Sequence, residues 1–417
     1  MRRYKDKIAS GLGSVLEWYD FALYGFFAQL IAQLYFPSAS QSTAMLKTFS
    51  VFAIGFIARP IGALLFGHIG DKYGRTASLK LTPILITIPT LLFAILPTYQ
   101  QIGVLAPIIL ILLRIWQGIC VGGEFANNIV YLCETSAQNR TFFYGSIGSC
   151  TGSLGIFLAS IVATLWYKIF PHENLITWGW RLAFILASAI GIITFLMRRN
   201  MSETPIFNEI NRKQPVMANS SWGFCKSNLQ NYLVAFGLTF LPATAFYYVF
   251  MFLPNFLNEI LNIDTSKISS ENSLSLFMRL LIIPVIGLAA DKFGGIKIAR
   301  TASILFLLFS YPLLFGITNY LNITHLFIYG FAFLTTLNAA TTPGLLMKLL
   351  KPETRCTVLS FSFNFCFGVF GGLVPIICFL LISQFKNTMA SIYYLMFAAF
   401  VTFIATFFFN KAQYEQK

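Results

Sequence analysis

The chain reads as long apolar runs separated by short polar gaps. Twelve runs stand out, at residues 8–34, 43–68, 77–96, 103–134, 141–169, 180–197, 229–260, 272–290, 300–318, 322–347, 357–383 and 388–410. Each is close to or above the roughly twenty residues that an α-helix needs to cross a bilayer. Strands of a membrane barrel would show about ten residues of strict alternation instead, and these runs are continuous. The pattern predicts an all-α membrane protein with twelve transmembrane helices. The longest polar gap, "RRNMSETPIFNEINRKQPVMANSSW" from Arg198 to Trp222, divides the runs six and six. The expected organisation is an N-terminal six-helix half at 1–197, a cytoplasmic linker at 198–228, a C-terminal six-helix half at 229–410 and a short cytoplasmic tail at 411–417.

Composition sharpens this reading. Of 417 residues, 57% are hydrophobic and 11% charged, and mean hydropathy is +0.71. Soluble domains carry about 25% charged residues, so a water-soluble protein is excluded. The net charge of +14 does not imply a nucleic-acid partner, because the basic residues are spread through the gaps and form no dense block. With the N-terminus inside, only Lys47, Lys168, Arg181, Lys267, Arg279 and Lys386 fall outside, and Arg59 and Arg114 lie at membrane depth. The rest of the 29 basic residues fall inside. Lys and Arg accumulate in cytoplasmic loops. The expectation is a multi-pass protein of the bacterial inner (plasma) membrane with both termini cytoplasmic. The basic start "MRRYKDKIAS" precedes a run too long and too charged for a signal peptide, and reads as a retained first helix.

Other chemistries find little support. The seven cysteines sit mostly inside apolar runs without CxxC or metal spacing, as small buried hydrophobes do. His68, His172 and His325 form no metal cluster. No glycine-rich phosphate loop and no nucleophile–base constellation stands out, so neither an enzyme nor a cofactor is expected.

The first run raises a question. "GSVLEWYDFALYGFF" (Gly13–Phe27) holds Glu17 and Asp20, and a charge at membrane depth costs about 2.5–3.5 kcal/mol on insertion scales. Helical geometry puts Ser14, Glu17, Phe21 and Tyr24 on one stripe, with Asp20 on the same side. That stripe suits an aqueous cavity better than lipid. Carboxylates there can bind and release protons as the cavity opens to each side; a static ion pair is the plainer alternative. Phe21 and Tyr24 can face a cationic ammonium group. Arg114 lies within "IILILLRIWQGICVGGEF" (Ile108–Phe125). It stays charged and needs a carboxylate, from Glu17, Asp20, Glu124 or a substrate held bidentately. Arg59, before Pro60, either snorkels to the interface or pairs with Asp20 or Asp71. Glu124, after Gly122 and Gly123, is a third candidate for proton coupling, or the partner of a basic residue. Asn127, Asn128, Tyr131 and Glu134 extend this polar face. In the second half Asn338 and Asn364 are the polar candidates, each as a helix–helix hydrogen bond or a ligand contact, with Asn364 taken as the substrate-binding one.

The halves also repeat. "GDKYGR" (Gly70–Arg75) follows the second run and "ADKFGG" (Ala290–Gly295) the eighth. Arg140 is echoed by Arg355. Glycines permit a tight connection, and an Arg there can pair with a carboxylate or a helix C-terminus. Asp71, Arg75, Asp291, Arg140, Arg355 and Arg59 are the expected gating residues. Two halves in parallel repeat are expected to hold a substrate near the midplane between them.

With twelve runs, "GDKYGR" and its copy resemble the signature of the major facilitator superfamily. "EWYDFALYGF", "ARPIGALLFG", "QGICVGGEF", "WGWRLAF" and "SETPIF" in the N-terminal half, and "PETRCTVLSFSFNF" with "GGLVP" in the C-terminal half, look like the metabolite:proton symporter family, nearest to proline/betaine transporters. The resemblance implies proton-coupled symport of a small zwitterionic or anionic metabolite by alternating access. A proline- or betaine-like solute is expected, and a dicarboxylate is the variant. Its implied partners are solute, protons and lipids, with a monomeric carrier. Ser14 departs from the Asn often found there. About seven residues follow the last run, so osmotic regulation by a long coiled-coil tail is not expected. The rival readings are a proton-coupled drug or metabolite exporter, which shares the "GDKYGR" loop, and a solute sensor that has lost transport.

Overall fold

Long apolar segments must satisfy their backbone amides without water, and helices do this within one segment. The computed structural model describes residues 2–37, 41–213 and 229–409, and all regular structure among them is helical. The rest of the expected linker, 214–228, and the expected tail, 411–417, lie outside the described residues.

The first crossing is α1 (Arg2–Phe26) and α2 (Ala28–Tyr35). Phe27 between them keeps the helical bonds, donating to the Leu23 carbonyl and accepting from Ile31. There follow α3 (Gln41–Lys72), α4 (Arg75–Ile95), the short α5 (Tyr99–Ile102), α6 (Leu105–Glu134), α7 (Thr141–Ile169), the short α8 (His172–Asn174), α9 (Trp180–Arg198) and α10 (Pro205–Lys213). Next, α11 (Leu229–Tyr247) continues through a π-helical turn, Tyr248–Phe252, into α12 (Leu253–Glu259). Then come α13 (Thr265–Phe293), α14 (Gly295–Asn319), α15 (Thr324–Leu349) and α16 (Arg355–Phe365). Another π-helical turn, Cys366–Gly371, leads to α17 (Val374–Phe385), and α18 (Ile392–Phe407) follows.

Eleven segments among the described residues are long and apolar enough to cross a membrane. Of the twelve runs in the sequence, α1 with α2 is the remaining one. It has the length, with 25 residues in α1 alone, but Glu17 and Asp20 lower its hydropathy.

The chain divides into two compact units. Unit 1 is Met1–Tyr131 with Thr151–Val216, and unit 2 is Leu132–Cys150 with Met217–Lys417. In unit 1, α9 lies against both α4 and α1, and aromatic rings fill the core, among them Tyr24, Phe27, Tyr35, Phe93, Trp180 and Phe184. In unit 2, α14 packs on α15 and α18, α11 on α18, and α13 on α15. The exposed positions of many helices are apolar too, for example Ile57, Leu112, Ile193, Leu308 and Phe400, as suits contact with lipid tails.

One crossing in unit 1 positions the charged residues that follow. Along α3 and α6, backbone meets backbone through glycine. A Cβ added at Gly62 would strike the Ile119 carbonyl, one at Gly118 the Gly55 carbonyl, and one at Gly122 the Arg59 carbonyl. Without a hydrophobic driving force in lipid, small residues bring helices into this contact. The glycines of "ARPIGALLFG" and "QGICVGGEF" therefore hold Arg59 beside α6. Gly122→Leu should overpack the crossing, a class of change that costs about 1–3 kcal/mol or more. Thermal unfolding of purified protein should show a clearly lower midpoint for Gly122→Leu. Gly25→Ala, whose added methyl meets nothing within 4 Å, should melt as the parent does.

Candidate functional site

Three carboxylate–arginine pairs lie in the interior of unit 1. None of their six side chains is more than 3% exposed. Each acid stands in a helix interior, so its charge has to be answered by another helix.

The first pair joins α1 to α3. Arg59 Nη2 donates to Glu17 Oε1 at 2.8 Å. The Arg59 guanidinium carbon lies 5.2 Å from the Trp18 ring, 5.4 Å from Phe21 and 5.1 Å from Phe56, a cation held among π faces. Glu17 Oε2 and the Ser14 hydroxyl, one turn earlier, have no hydrogen-bond partner among the described residues.

The second pair joins α1 to α6. Asp20 accepts from Thr90 Oγ1 at 3.1 Å and from Gln117 Nε2 at 2.9 Å, and Gln117 also donates to Thr90 at 2.9 Å. Arg114 Nη1 stands 3.8 Å from Asp20 Oδ2, an ion pair too long for a hydrogen bond. The Arg114 guanidinium lies 3.8 Å from the centre of the Tyr24 ring, with Phe21 and Phe93 at 5.7 and 5.6 Å. All three of its nitrogens are buried without a hydrogen-bond acceptor among the described residues. Tyr24 is fixed by its hydroxyl, which donates to the Thr48 carbonyl at 3.2 Å, and by stacking on Phe52.

The third pair is a lock. Arg198, the last residue of α9, donates to both oxygens of Glu124, at 2.8 and 2.5 Å. Its remaining capacity goes to the carbonyls of Ala9, Ser10 and Leu79, and Thr82 donates to Glu124 as well. One guanidinium thus ties α1, α4, α6 and α9 together. Asn127 donates to Ser78, and Ser10 to Asn128, so these polar residues of α6 serve as helix–helix bonds.

The pairing differs from several sequence expectations. Arg59 is buried rather than snorkelling, and it pairs with Glu17, an acid not among its expected partners Asp20 and Asp71. Of the three acids open to Arg114, Asp20 is the one beside it. The charge pattern of the sequence places Arg198 with the inner and Arg279 with the outer connections. Arg198 is fully buried, and Arg279 stands midway along α13 with 7% exposure. Thr90, Gln117 and Arg198 carried no signal on their own, since their role exists only through residues far away in sequence.

The gating candidates fall into two groups. In unit 1, Arg75 lies 3.6 Å from Asp71 and donates to the Gly70 carbonyl at 3.1 Å. Gly74 has φ +112°, a conformation that favours glycine. Glu203 of "SETPIF" accepts from the Thr76 amide and hydroxyl at 3.0 and 2.7 Å, capping the start of α4. The Phe207 ring lies 5.3 Å from the Arg75 guanidinium. In unit 2, Asp291 accepts from the amides of Phe142 and Phe143, both at 2.9 Å. A carboxylate there meets the positive end of α7. Arg355 pairs with Glu134 at 2.8 Å, both buried, and donates to the Leu350 carbonyl. Arg140 is exposed at the end of a 3-10 turn. Asn364, in α16, donates to the Ser360 carbonyl one turn back.

Eleven helices long and apolar enough to cross a membrane, among the described residues, define a polytopic membrane protein. Solved structures of the major facilitator superfamily share its fold. The proton:xylose symporter XylE, bound to 6-bromo-6-deoxy-D-glucose, superposes with a TM-score of 0.79 at 16% identity, covering 98% of this chain and 95% of XylE. FucP in the outward conformation gives 0.69 at 15% identity, covering 96% of this chain and 98% of FucP. The family described as sugar (and other) transporter matches residues 8–222. A putative proline/betaine transporter of Staphylococcus aureus (strain MSSA476) is 31% identical over 415 residues, 97% of this chain and 87% of that protein. The glycine betaine/proline/ectoine/pipecolic acid transporter OusA of Dickeya dadantii is 30% identical over 98% of this chain and 83% of its own length. The proline/betaine transporter of Escherichia coli (strain K12) is 29% identical over 95% and 81%. The chain belongs to the sugar (and other) transporter family, and it is a multi-pass membrane transporter rather than an enzyme.

Removing one member of a buried pair leaves the other charge uncompensated, typically at about 3–5 kcal/mol. Glu124→Gln should therefore lower the thermal midpoint strongly. Adding Arg198→Met should recover a large part of that loss. Equal midpoints for Glu124→Gln and the parent would show that the pair does not hold the four helices.

Proposed function

We propose that the chain is a proton-coupled symporter for a small zwitterion bearing a carboxylate, proline- or betaine-like, in a bacterial plasma membrane. It works as a monomer by alternating access, with both termini cytoplasmic and residues 1–197 and 229–410 as its two halves. The observation that carries this reading is Arg114. It is a buried cation among Tyr24, Phe21 and Phe93, its nitrogens have no hydrogen-bond acceptor among the described residues, and its counter-charge Asp20 is 3.8 Å away. A solute carboxylate supplies what the guanidinium lacks, a bidentate charge-assisted acceptor. The named substrates of the Staphylococcus, Dickeya and Escherichia relatives, proline and betaine among them, support a zwitterion.

Coupling follows from competition for the arginine. When the solute carboxylate takes Arg114, Asp20 loses its share of that cation, and a proton compensates it. Glu17, with one oxygen on Arg59 and the other unbonded, is the second proton carrier. Protonation there weakens its hold on Arg59. Ser14 lies one turn from it, and Phe21 separates the two arginines, at 5.4 and 5.7 Å. Glu124, committed to Arg198, positions the helices that carry the other groups. The Asp71–Arg75 loop in unit 1, and Asp291 and Glu134–Arg355 in unit 2, are charge contacts of the kind that hold and release a gate. Arg140 and Asn364 are the weaker candidates for gating and substrate contact.

The test is uptake into proteoliposomes under an imposed inward proton gradient, with labelled proline, betaine, 2-oxoglutarate and citrate, with and without protonophore. Protonophore-sensitive accumulation of proline or betaine is expected; accumulation of citrate or 2-oxoglutarate alone would reassign the substrate. Glu17→Gln should abolish proton-driven accumulation and keep solute exchange. Arg114→Lys, which loses the planar fork, should raise KM about tenfold or more. Gradient-driven accumulation at the parental level in Glu17→Gln would remove Glu17 from coupling.

A further inference from the structure

Unit 2 has a buried cation of its own. Arg279, midway along α13, donates to Thr335 Oγ1 of α15 at 2.8 Å, and its guanidinium lies 5.5 Å from the Phe246 ring and 5.6 Å from Phe250. Phe250 belongs to the π-helical turn Tyr248–Phe252, and such turns recur at functional sites. Three residues beyond Thr335, and so on the same face of α15, stands Asn338. It is fully buried, and both ends of its amide, Nδ2 and Oδ1, have no hydrogen-bond partner among the described residues. Because both ends are unanswered, exchanging the amide nitrogen and oxygen leaves the observation unchanged. Buried side-chain amides are nearly always bonded. An amide without a partner, one turn along α15 from the hydroxyl that holds a buried guanidinium, asks for a ligand that both accepts and donates.

We infer that Arg279 and Asn338 form a second, amino-acid-selective site within unit 2, which takes a zwitterion molecule of its own, distinct from the one whose carboxylate Arg114 holds. The carboxylate of a zwitterion accepts from Arg279 and from Asn338 Nδ2, and an ammonium N–H of the same ligand donates to Asn338 Oδ1. This deepens the proposed function and rests on its reading that the solute is a carboxylate-bearing zwitterion. The consequence is a preference within that class. Proline and other cyclic or N-alkyl amino acids that keep an N–H satisfy both ends of Asn338. A fully methylated betaine has no N–H and leaves Oδ1 buried and unbonded. Sites built to hydrogen-bond an N–H discriminate against ligands that lack it for this reason.

The experiment is equilibrium binding by calorimetry on the full-length protein in detergent, with L-proline, N-methyl-L-proline and N,N-dimethyl-L-proline. The series removes N–H donors one at a time and keeps ring and carboxylate. The two ligands with an N–H should bind at least about tenfold tighter than the dimethyl compound. Asn338→Leu, which replaces the amide by an apolar group of similar size, should stay folded by thermal unfolding and lose that preference. Asn338→Ala serves as the second variant and should lose it too. Equal binding of the three compounds by the parent protein, or tighter binding of the dimethyl compound, overturns the inference and leaves the proposed function standing. So does retention of the parental preference in both folded variants. No binding of any of the three overturns the inference together with the zwitterion reading.

Discussion

A charge inside a bilayer has to bring its counter-charge with it, and this constraint organises unit 1. The insertion cost of one buried ion is several kcal/mol, and desolvation is offset only when the partner is close and the remaining donors and acceptors are bonded. Glu17 with Arg59, Asp20 with Arg114, and Glu124 with Arg198 meet that requirement to different degrees. The Glu124–Arg198 pair is fully bonded, down to three backbone carbonyls. The Glu17–Arg59 pair leaves one carboxylate oxygen without a partner, and the Asp20–Arg114 pair leaves a guanidinium without acceptors. Rigidity and reactivity divide along that gradient. The satisfied pair suits architecture, and the unsatisfied ones have capacity for a ligand or a proton.

The surrounding sequence serves this arrangement. Glycine contacts between α3 and α6 bring two arginine-bearing helices to backbone distance, so the guanidinium groups reach α1 without extending to the interface. Aromatic rings of α1, α3 and α4 line the cations, supplying polarisable faces where water is excluded. At the ends of the helices the same electrostatic logic uses the backbone. Glu203 covers the amide of Thr76, and Asp291 those of Phe142 and Phe143, each a carboxylate meeting the positive end of a helix dipole.

The helices and several of the charged residues are legible in the sequence. Apolar run length alone defines the helices, because in lipid the backbone admits few alternatives, and charges inside apolar runs single out Glu17 and Asp20 in α1 and Arg114 in α6. Partner identity was not readable. Arg59 and Glu17 are 42 residues apart and Arg198 and Glu124 are 74 apart. Their pairing depends on helix rotation and crossing, which one sequence does not specify. Arg198 and Arg279 looked like loop residues because they were grouped by the gaps beside them, whereas the packing of α9 and α13 decides where their side chains go. The signal that was available for Arg279 was its position inside an apolar run, the same signal that singled out Arg114.

Arg198 also has a meaning in time. It ends the sixth crossing of the chain, so during synthesis it emerges after α1, α4 and α6 have left the ribosome. Its five hydrogen bonds go to residues of those three earlier helices. The guanidinium therefore enters the membrane interior at low cost only where its predecessors are already assembled around Glu124. The last residue of α9 thus finds all five of its acceptors only in a structure where α1, α4 and α6 are already nested together.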